Sequence, residues 1–286
     1  MNKADIYMKE GIERILSEGY KDVNPRPKYA DGTPAHTISV NHVVRVYDLS
    51  KDEFPICTLR PMAWKTAVRE IFMIYQKPTN VIAEMEEMKV NWWGPWDIGD
   101  GTIGQRYGAT VKRYDLINKL IKDILDDPYG RRKVVDLWQE TDLRETPGLA
   151  PCAFLTIWNV RGEYLDMLMM QRSGDMLTAS GAGGMNEIQY AALLMMIARH
   201  TGYKPGVFTH VVANEQIYDR HLEASEEMLR RYNLLEEEEK QNGIQKPAPV
   251  IRLKTGKTDF YSFTIEDFEI EHYQAVKPQL KLDLGI

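Results

Sequence analysis

Two apolar, β-rich runs lie back to back in the middle of the chain, residues 152–160 (CAFLTIWNV) and Glu163–Gln171 (EYLDMLMMQ). Only Arg161-Gly162 stands between them. Two such runs joined by a tight-turn dipeptide have one low-cost arrangement, an antiparallel hairpin. A hairpin brings its open ends together, and these ends carry chemistry. Cys152 follows a proline at the start of the first strand, and Gln171-Arg172-Ser173-Gly174-Asp175 closes the second. A thiol, a guanidinium, a hydroxyl and a carboxylate are thereby expected to share one anion-binding pocket with a nucleophile in it.

Helical and extended stretches alternate around this hairpin. Ile6, Tyr7, Ile12 and Ile15 share a helical stripe over 5–18, ended by Gly19. Residues 36–49 alternate as a strand or a bent pair of strands. Residues 61–76 form a helix with Pro61 in its first turn, where its missing amide is harmless. An amphipathic helix follows over 114–126, then a strand over 133–138. After the hairpin come a long apolar helix (186–200), a strand (206–213) and a charged helix (221–240). Two more strands close the chain, over 250–253 and 268–273. Short strands among long helices predict a mixed α/β or α+β domain. The 286 residues hold no Ser/Gly-rich linker, low-complexity block or repeat, so one domain over 1–286 is expected.

The net charge of −6 argues against non-specific nucleic-acid binding, though not against a small anion held by local arginines. The N-terminus is charged throughout and lacks the apolar core of a signal peptide. The longest apolar run, 190–198, is far too short to span a membrane. Cys57 and Cys152 are the two cysteines, and without an export signal a disulfide between them is not expected. The six histidines are scattered, with no zinc-site spacing, so no metal is expected. A cytoplasmic protein is the expectation.

Several residues admit two readings. Arg26, in a proline-punctuated loop, is either solvated or an anion ligand. Glu70 lies among apolar neighbours on its helix, so it either rotates to the rim or sits in a dry pocket with a raised pKa. Trp92, Trp93 and Trp96 plug the core or line a ligand site. Tyr107 falls between loop glycines. Arg131 and Arg132 are a surface pair or a phosphate clamp. The MLTASGAGGM segment (176–185) lacks both the P-loop lysine and the dinucleotide spacing. It reads as a turn or mobile loop rather than a phosphate cradle.

With APC followed by QRSGD, the chain closely resembles the thymidylate synthase family. The agreement continues through DGTPAHTISV, WKTAVREI, DGTIGQRYG, the arginine pair, IYDRH and DFYSFTIEDFEIEHY, in order along nearly the whole sequence. The resemblance implies an α+β fold with a large mixed β-sheet covered by long helices, assembled as a homodimer. It implies dUMP as substrate and 5,10-methylenetetrahydrofolate as cosubstrate, donating both carbon and hydride. C5 of uracil is a poor nucleophile, and a thiolate adding at C6 turns it into a reactive enolate carbon.

By resemblance Cys152 is that nucleophile, activated by the nearby Arg172. Arg26, Arg172 and Ser173 are assigned to the phosphate, with Arg131 and Arg132 reaching the partner subunit's phosphate. Glu70 would order water and shuttle protons near the base. Tyr107 would position the nucleophile or remove the C5 proton. Asn186 would read the uracil edge by donating and accepting together. Gln216 and Tyr218 would hold the ribose. Trp93, Trp96, Asp175 and the C-terminal Ile286 would contact the folate. The chain departs from the family at Gly94, where an Asp is usual, at Gln216, where a His is usual, and in a longer glycine-rich segment before Asn186. A dUMP hydroxymethylase, in which water traps the methylene, is the nearer alternative. A catalytically silent nucleotide binder is the more distant one.

Overall fold

In the computed structural model the described residues are 1–243 and 246–286. In chain order the elements are α1 (Lys3–Glu18), β1 (Tyr20–Lys21), β2 (Thr37–Asp48), α2 (Trp64–Ile71), α3 (Ile82–Glu87), α4 (Gly108–Tyr114) and α5 (Leu116–Asp126). Then follow β3 (Val134–Asp136), α6 (Glu140–Glu145), β4 (Ala153–Arg161), β5 (Tyr164–Gln171), β6 (Gly174–Asp175) and α7 (Met185–Thr201). The chain ends with β7 (Lys204–Tyr218), α8 (Leu222–Asn242), β8 (Val250–Leu253) and β9 (Phe268–Glu271).

One sheet runs β1-β2-β7-β5-β4-β3, with the short β6 also paired to β7. It is mixed: β7 runs parallel to β5 and β6, and every other pairing in it is antiparallel. β8 and β9 form a separate antiparallel pair. The expected α+β arrangement is thus present.

The hairpin forms as expected, with its turn one residue later. Arg161 pairs with Tyr164, so Gly162 and Glu163 are the central residues and Gly162 takes the positive φ of +61°. The strand expected over 36–49 is a single β2, kinked where His42 adopts φ +57°. The helix expected from Pro61 begins at Trp64 and ends in a π-turn over Phe72–Gln76. That expected over 114–126 begins after Asp115, whose left-handed backbone separates it from α4. β7 runs five residues beyond Ala213, because Asn214–Tyr218 pairs with β2 on one side and its Glu215 and Gln216 with β6 on the other.

α7 is buried on nearly every side, from Ile188 to Ala198, which explains its lack of a polar face. One sheet face packs against α1, α7 and their neighbours, through Tyr47, Trp158, Met167, Met169 and Phe208. The opposite face carries a band across four strands: Val44 and Val46, Val211, Leu168 and Met170, and Ile157. Val44 and Val46 are exposed, and the others are half-buried. Among the described residues no helix is long and apolar enough to cross a membrane.

Candidate active site

Cys152 stands just before β4 and is half-buried. The hairpin places Arg172 beside it: the Arg172 N–H donates to the Cys152 carbonyl at 2.9 Å, and Nη2 lies 3.6 Å from Sγ. The guanidinium is held in that pose by the carbonyls of Pro151 (3.0 Å) and Ala150 (2.8 Å), and it faces the Trp138 ring at 5.7 Å. The positive field therefore reaches the sulfur. Burial nonetheless pushes the thiol pKa up, and the opposing pull of Arg172 and Arg26 does not overcome it. The expected pull of Arg172 is present, and burial outweighs it. The free site favours the neutral thiol, because desolvation penalises the thiolate more than the two arginines stabilise it.

Tyr107 closes the other side. Its backbone is strained, at φ +48° and ψ −109°. Its hydroxyl accepts the Cys152 N–H at 3.4 Å, and its ring meets Trp93 edge-on at 5.1 Å. Burial raises the phenol well above its usual pKa. Trp93 in turn packs on Trp96 at 5.5 Å.

Glu70 is in the dry pocket, not at the rim. Trp92 and Trp93 donate their indole N–H groups to Oε1 at 3.1 and 2.7 Å, and the Gln189 amide donates to Oε2. Burial raises this carboxyl to about 7 even against those three donors. A group poised there exchanges protons near neutral pH.

Asn186 opens α7 next to this carboxylate. Its Oδ1 accepts from Ser180 (2.9 Å) and lies 3.2 Å from the Gln171 amide, and its Nδ2 donates to Gln189 at 2.9 Å. The two N–H groups of Gln171 have closer acceptors in Ser180 Oγ (2.6 Å) and the Ser173 carbonyl (3.0 Å), so Asn186 keeps both an oxygen lone pair and an N–H.

The glycine-rich segment is no mobile loop. Residues 180–184 are buried. Arg60 donates to the Leu177 and Thr178 carbonyls and Arg45 to that of Ser180. Glu187 accepts the Gly183 N–H at 2.6 Å. Gly183 has φ +64°, and a Cβ there would sit 2.3 Å from the Cys57 nitrogen, so backbone packs on backbone.

Beneath lies a buried ionic cluster. Arg45 bridges Glu187 (2.6 Å) and Glu215 (2.7 Å), and Tyr47 donates to Glu187 at 2.7 Å. Burial works against charge here, yet Arg45 and His210 hold Glu187 down to about 2. Burial keeps Glu215 raised.

The remaining expected residues lie as follows. Arg26 is exposed but close enough to act on both Cys152 and Tyr218. Ser173 Oγ is 3.4 Å from the Gln216 amide. Burial pushes Tyr218 up to about 12, with Asp175 and Cys152 adding to it. Asp175 accepts the Leu177 N–H at 3.2 Å and stands 3.8 Å from His221 Nδ1, whose Nε2 donates to the Asp283 carbonyl. Ile286 exchanges backbone hydrogen bonds with Lys28 at 2.8 and 2.9 Å, fastening the C-terminus to the Arg26 loop.

Arg131 and Arg132 are exposed and away from this group. The neighbouring Lys133 carbonyl accepts the Trp158 N–H at 2.9 Å. Trp158 is six residues along from Cys152, about 20 Å at the rise of an extended strand. Cys57 is a free, buried thiol, and Cys152 is also free.

Sequence reasoning missed Gln171 as a neighbour of Asn186, and it missed Gln189, Arg45, Arg60 and Glu187. Only Gln189 left a local signal, its i, i+3 spacing from Asn186 on one helix face.

A hairpin-borne cysteine under an arginine, with a buried carboxyl near neutrality on the same aromatic cluster, is the constellation of an enzyme that works through sulfur. The family model described as thymidylate synthase matches residues 6–286, and the chain belongs to that family. The enzymes named thymidylate synthase from Streptococcus pneumoniae (strain 70585) and Lactococcus lactis subsp. lactis (strain IL1403) are similar at 47% and 45% identity. Both alignments cover the whole of both chains. The solved structure of thermostable thymidylate synthase A from Bacillus subtilis superposes with a TM-score of 0.87 at 30% identity, over 99% of each chain. The family reaction is reductive methylation of dUMP to dTMP with 5,10-methylenetetrahydrofolate as cosubstrate and dihydrofolate as product. The hydroxymethylase alternative is not favoured.

Proposed function

We propose that this chain performs the synthase reaction with Cys152 as the nucleophile, adding through sulfur to C6 of dUMP. C5 then attacks the folate methylene, the C5 proton is lost as the methylene–nitrogen bond to folate breaks, and hydride from the resulting tetrahydrofolate reduces the exocyclic methylene as the Cys152 thiolate leaves C6, giving dTMP and dihydrofolate. Glu70 exchanges protons through water near the base, Tyr107 serves the nucleophile and the C5 proton, and Asn186 holds the base. Arg26, Arg172 and Ser173 take the phosphate, Gln216 and Tyr218 the ribose. Trp93, Trp96, Asp175 and Ile286 face the folate. The observation that carries the reading is the Arg172–Cys152 contact at 3.6 Å, at the hairpin end shared with Ser173 and opposite Tyr107. Substrate binding fixes the reacting carbon at the sulfur, so loss of the thiol proton is coupled to formation of the S–C6 bond.

The working form we propose is a homodimer in the cytoplasm, with one catalytic domain per chain. Two features support the dimer. The apolar band on the outer sheet face is the kind of surface that a second copy would cover by two-fold pairing. Arg131 and Arg132 stand too far from Cys152 to serve their own site, and a second copy would be served by them instead.

Purified protein given dUMP and methylenetetrahydrofolate is expected to release dihydrofolate. Cys152→Ala should abolish release while dUMP binding survives. Hydroxymethyl-dUMP without dihydrofolate would overturn the assignment. Mixing Cys152→Ala with the double variant Arg131→Ala/Arg132→Ala, each inactive alone, should restore turnover through hybrid dimers. No recovery on mixing would refute shared sites.

A further inference from the structure

We propose that His221 is a positioning residue that ties Asp175 to the C-terminal tail, so that the carboxylate and the chain end assigned to the folate are held as one unit. This rests on the reading above for the identity of the ligand and goes beyond it in joining the two contacts through a third residue.

His221 ends the one-turn 3-10 helix Asp219–His221 and stands immediately before α8, so both elements fix its backbone. Its side chain is fully buried. Nε2 lies 2.7 Å from the Asp283 carbonyl in the tail. A carbonyl can only accept, so Nε2 carries a proton. Nδ1 faces Asp175 Oδ1 at 3.8 Å and, among the described residues, has no hydrogen-bond partner. In the neutral ring Nδ1 would be a lone pair turned toward a carboxylate, unsatisfied and repelled. The imidazolium suits both ends, donating to the tail and presenting positive charge to Asp175.

The surroundings agree. Asp175 faces the ring from the end of β6, Asp283 from the tail, and Tyr218 from β7, with its ring edge-on at 5.4 Å. Burial lowers the pKa of such a ring, yet Asp175 and Asp283 more than offset it, and His221 lies above the ordinary 6.5. The neighbouring Arg220 spends its guanidinium on Asp31 at 2.6 Å and on the Asp283 side chain at 3.3 Å. Arg60 is close enough to Asp175 to share its charge. Leu177 and Thr178 take two of the about four acceptor positions of Asp175, which leaves it room for a ligand. The tail is seated against the same ring cluster, for a Cβ at Gly285 would come 2.8 Å from the Tyr218 ring. The tie therefore holds while His221 keeps its second proton and weakens as pH rises above its pKa.

Two amides separate the two ends of the ring. Glutamine carries its N–H where Nε2 stands, and asparagine where Nδ1 stands. The test measures equilibrium binding of tetrahydrofolate, which lacks the transferable methylene, to the full-length protein saturated with dUMP. Hydrogen exchange of the Ile286 amide reports the tail, and thermal unfolding is the folding control. From about pH 6 to about pH 9 the wild-type Kd should rise about tenfold, the scale of one contact to a charged group. His221→Gln carries no charge at either pH, so its Kd should stay at the weaker value throughout, a flattening that a packing role would not give. It keeps the donor for Asp283 and should keep the Ile286 amide protected. His221→Asn should lose about tenfold of that protection, since it no longer reaches the tail. A wild-type Kd indifferent to pH, the same rise in His221→Gln, or full protection in folded His221→Asn would each overturn the tie. If His221→Gln does not fold, Asp175→Asn removes the other partner and should flatten the same profile, and a rise that persists there counts against the proposal. If His221→Asn does not fold, the pH profile alone decides. Dihydrofolate release by the wild type is scored separately. Its absence alongside the expected profile would refute the proposed reaction and leave the tie standing.

Discussion

Replacing Glu70 by glutamine turns a buried, ionisable group into a neutral one of the same shape, and the consequence is a change in how stability depends on pH. Burial raises this carboxyl from the ordinary 4.5 to about 7. An acid whose pKa rises on folding holds its proton longer in the folded chain than in the unfolded one. Its contribution is most favourable below 4.5, declines as pH climbs toward 7, and is flat beyond. Between about pH 5.5 and about pH 8 the decline spans about 1.5 pH units, worth about 2 kcal/mol. Glu70→Gln abolishes it. The variant pays a separate, pH-independent penalty of about 1–2 kcal/mol, because its amide nitrogen meets that of Gln189. Its oxygen still accepts from Trp92 and Trp93. Urea unfolding of both proteins at the two pH values separates the effects, since the offset cancels in the comparison across pH. The variant should gain about 2 kcal/mol on the wild type from the lower to the higher pH. A relative change below about 0.5 kcal/mol would refute the claim that Glu70 is neutral at low pH and forced to ionise in a dry site.

Other perturbations probe the same region. Arg45→Met strands Glu187 and Glu215 without their shared cation and should cost about 3–5 kcal/mol in urea unfolding. Gly183→Ala forces a Cβ to 2.3 Å from backbone at φ +64° and should lower stability by at least about 2 kcal/mol. Gly94→Asp restores the residue common in the family at a position where a Cβ meets open space. It should leave stability within about 0.5 kcal/mol by thermal unfolding, so any change in folate KM would report on binding alone.

The hairpin was legible because two opposing cues agreed, a β-rich run on each side and a glycine at the reversal. Its chemistry was legible for the same reason, since a hairpin returns Arg172 to Cys152 across only twenty residues of chain. β7 was readable only to Ala213. Beyond it Asn214, Glu215 and Gln216 are polar and resemble loop, yet β2 and β6 hold them extended because they line a site. The glycine-rich segment read as a turn or mobile loop because its anchors, Arg45 and Arg60, come from more than a hundred residues upstream, and long-range hydrogen bonds to backbone carbonyls leave no local trace. The direction of charge on Cys152 could be read from the neighbouring arginine, whereas the outcome turned on burial, which a linear pattern does not reveal.

β2 and β7 form the most extended pairing in the sheet, yet one ends at Asp48 and the other begins at Lys204. A ribosome adding about 5–20 residues per second takes roughly 10–30 s to make the intervening chain. Through that interval β2, with its apolar Val43, Val44 and Val46, has only the two-residue β1 beside it, and the edge that β7 will cover stays open to neighbouring chains. The pocket around Cys152 cannot close until β7 arrives, and the segment that pins Lys28 is made later still. The nascent chain is therefore most exposed to wrong pairing along this one edge of β2, before the sheet is complete.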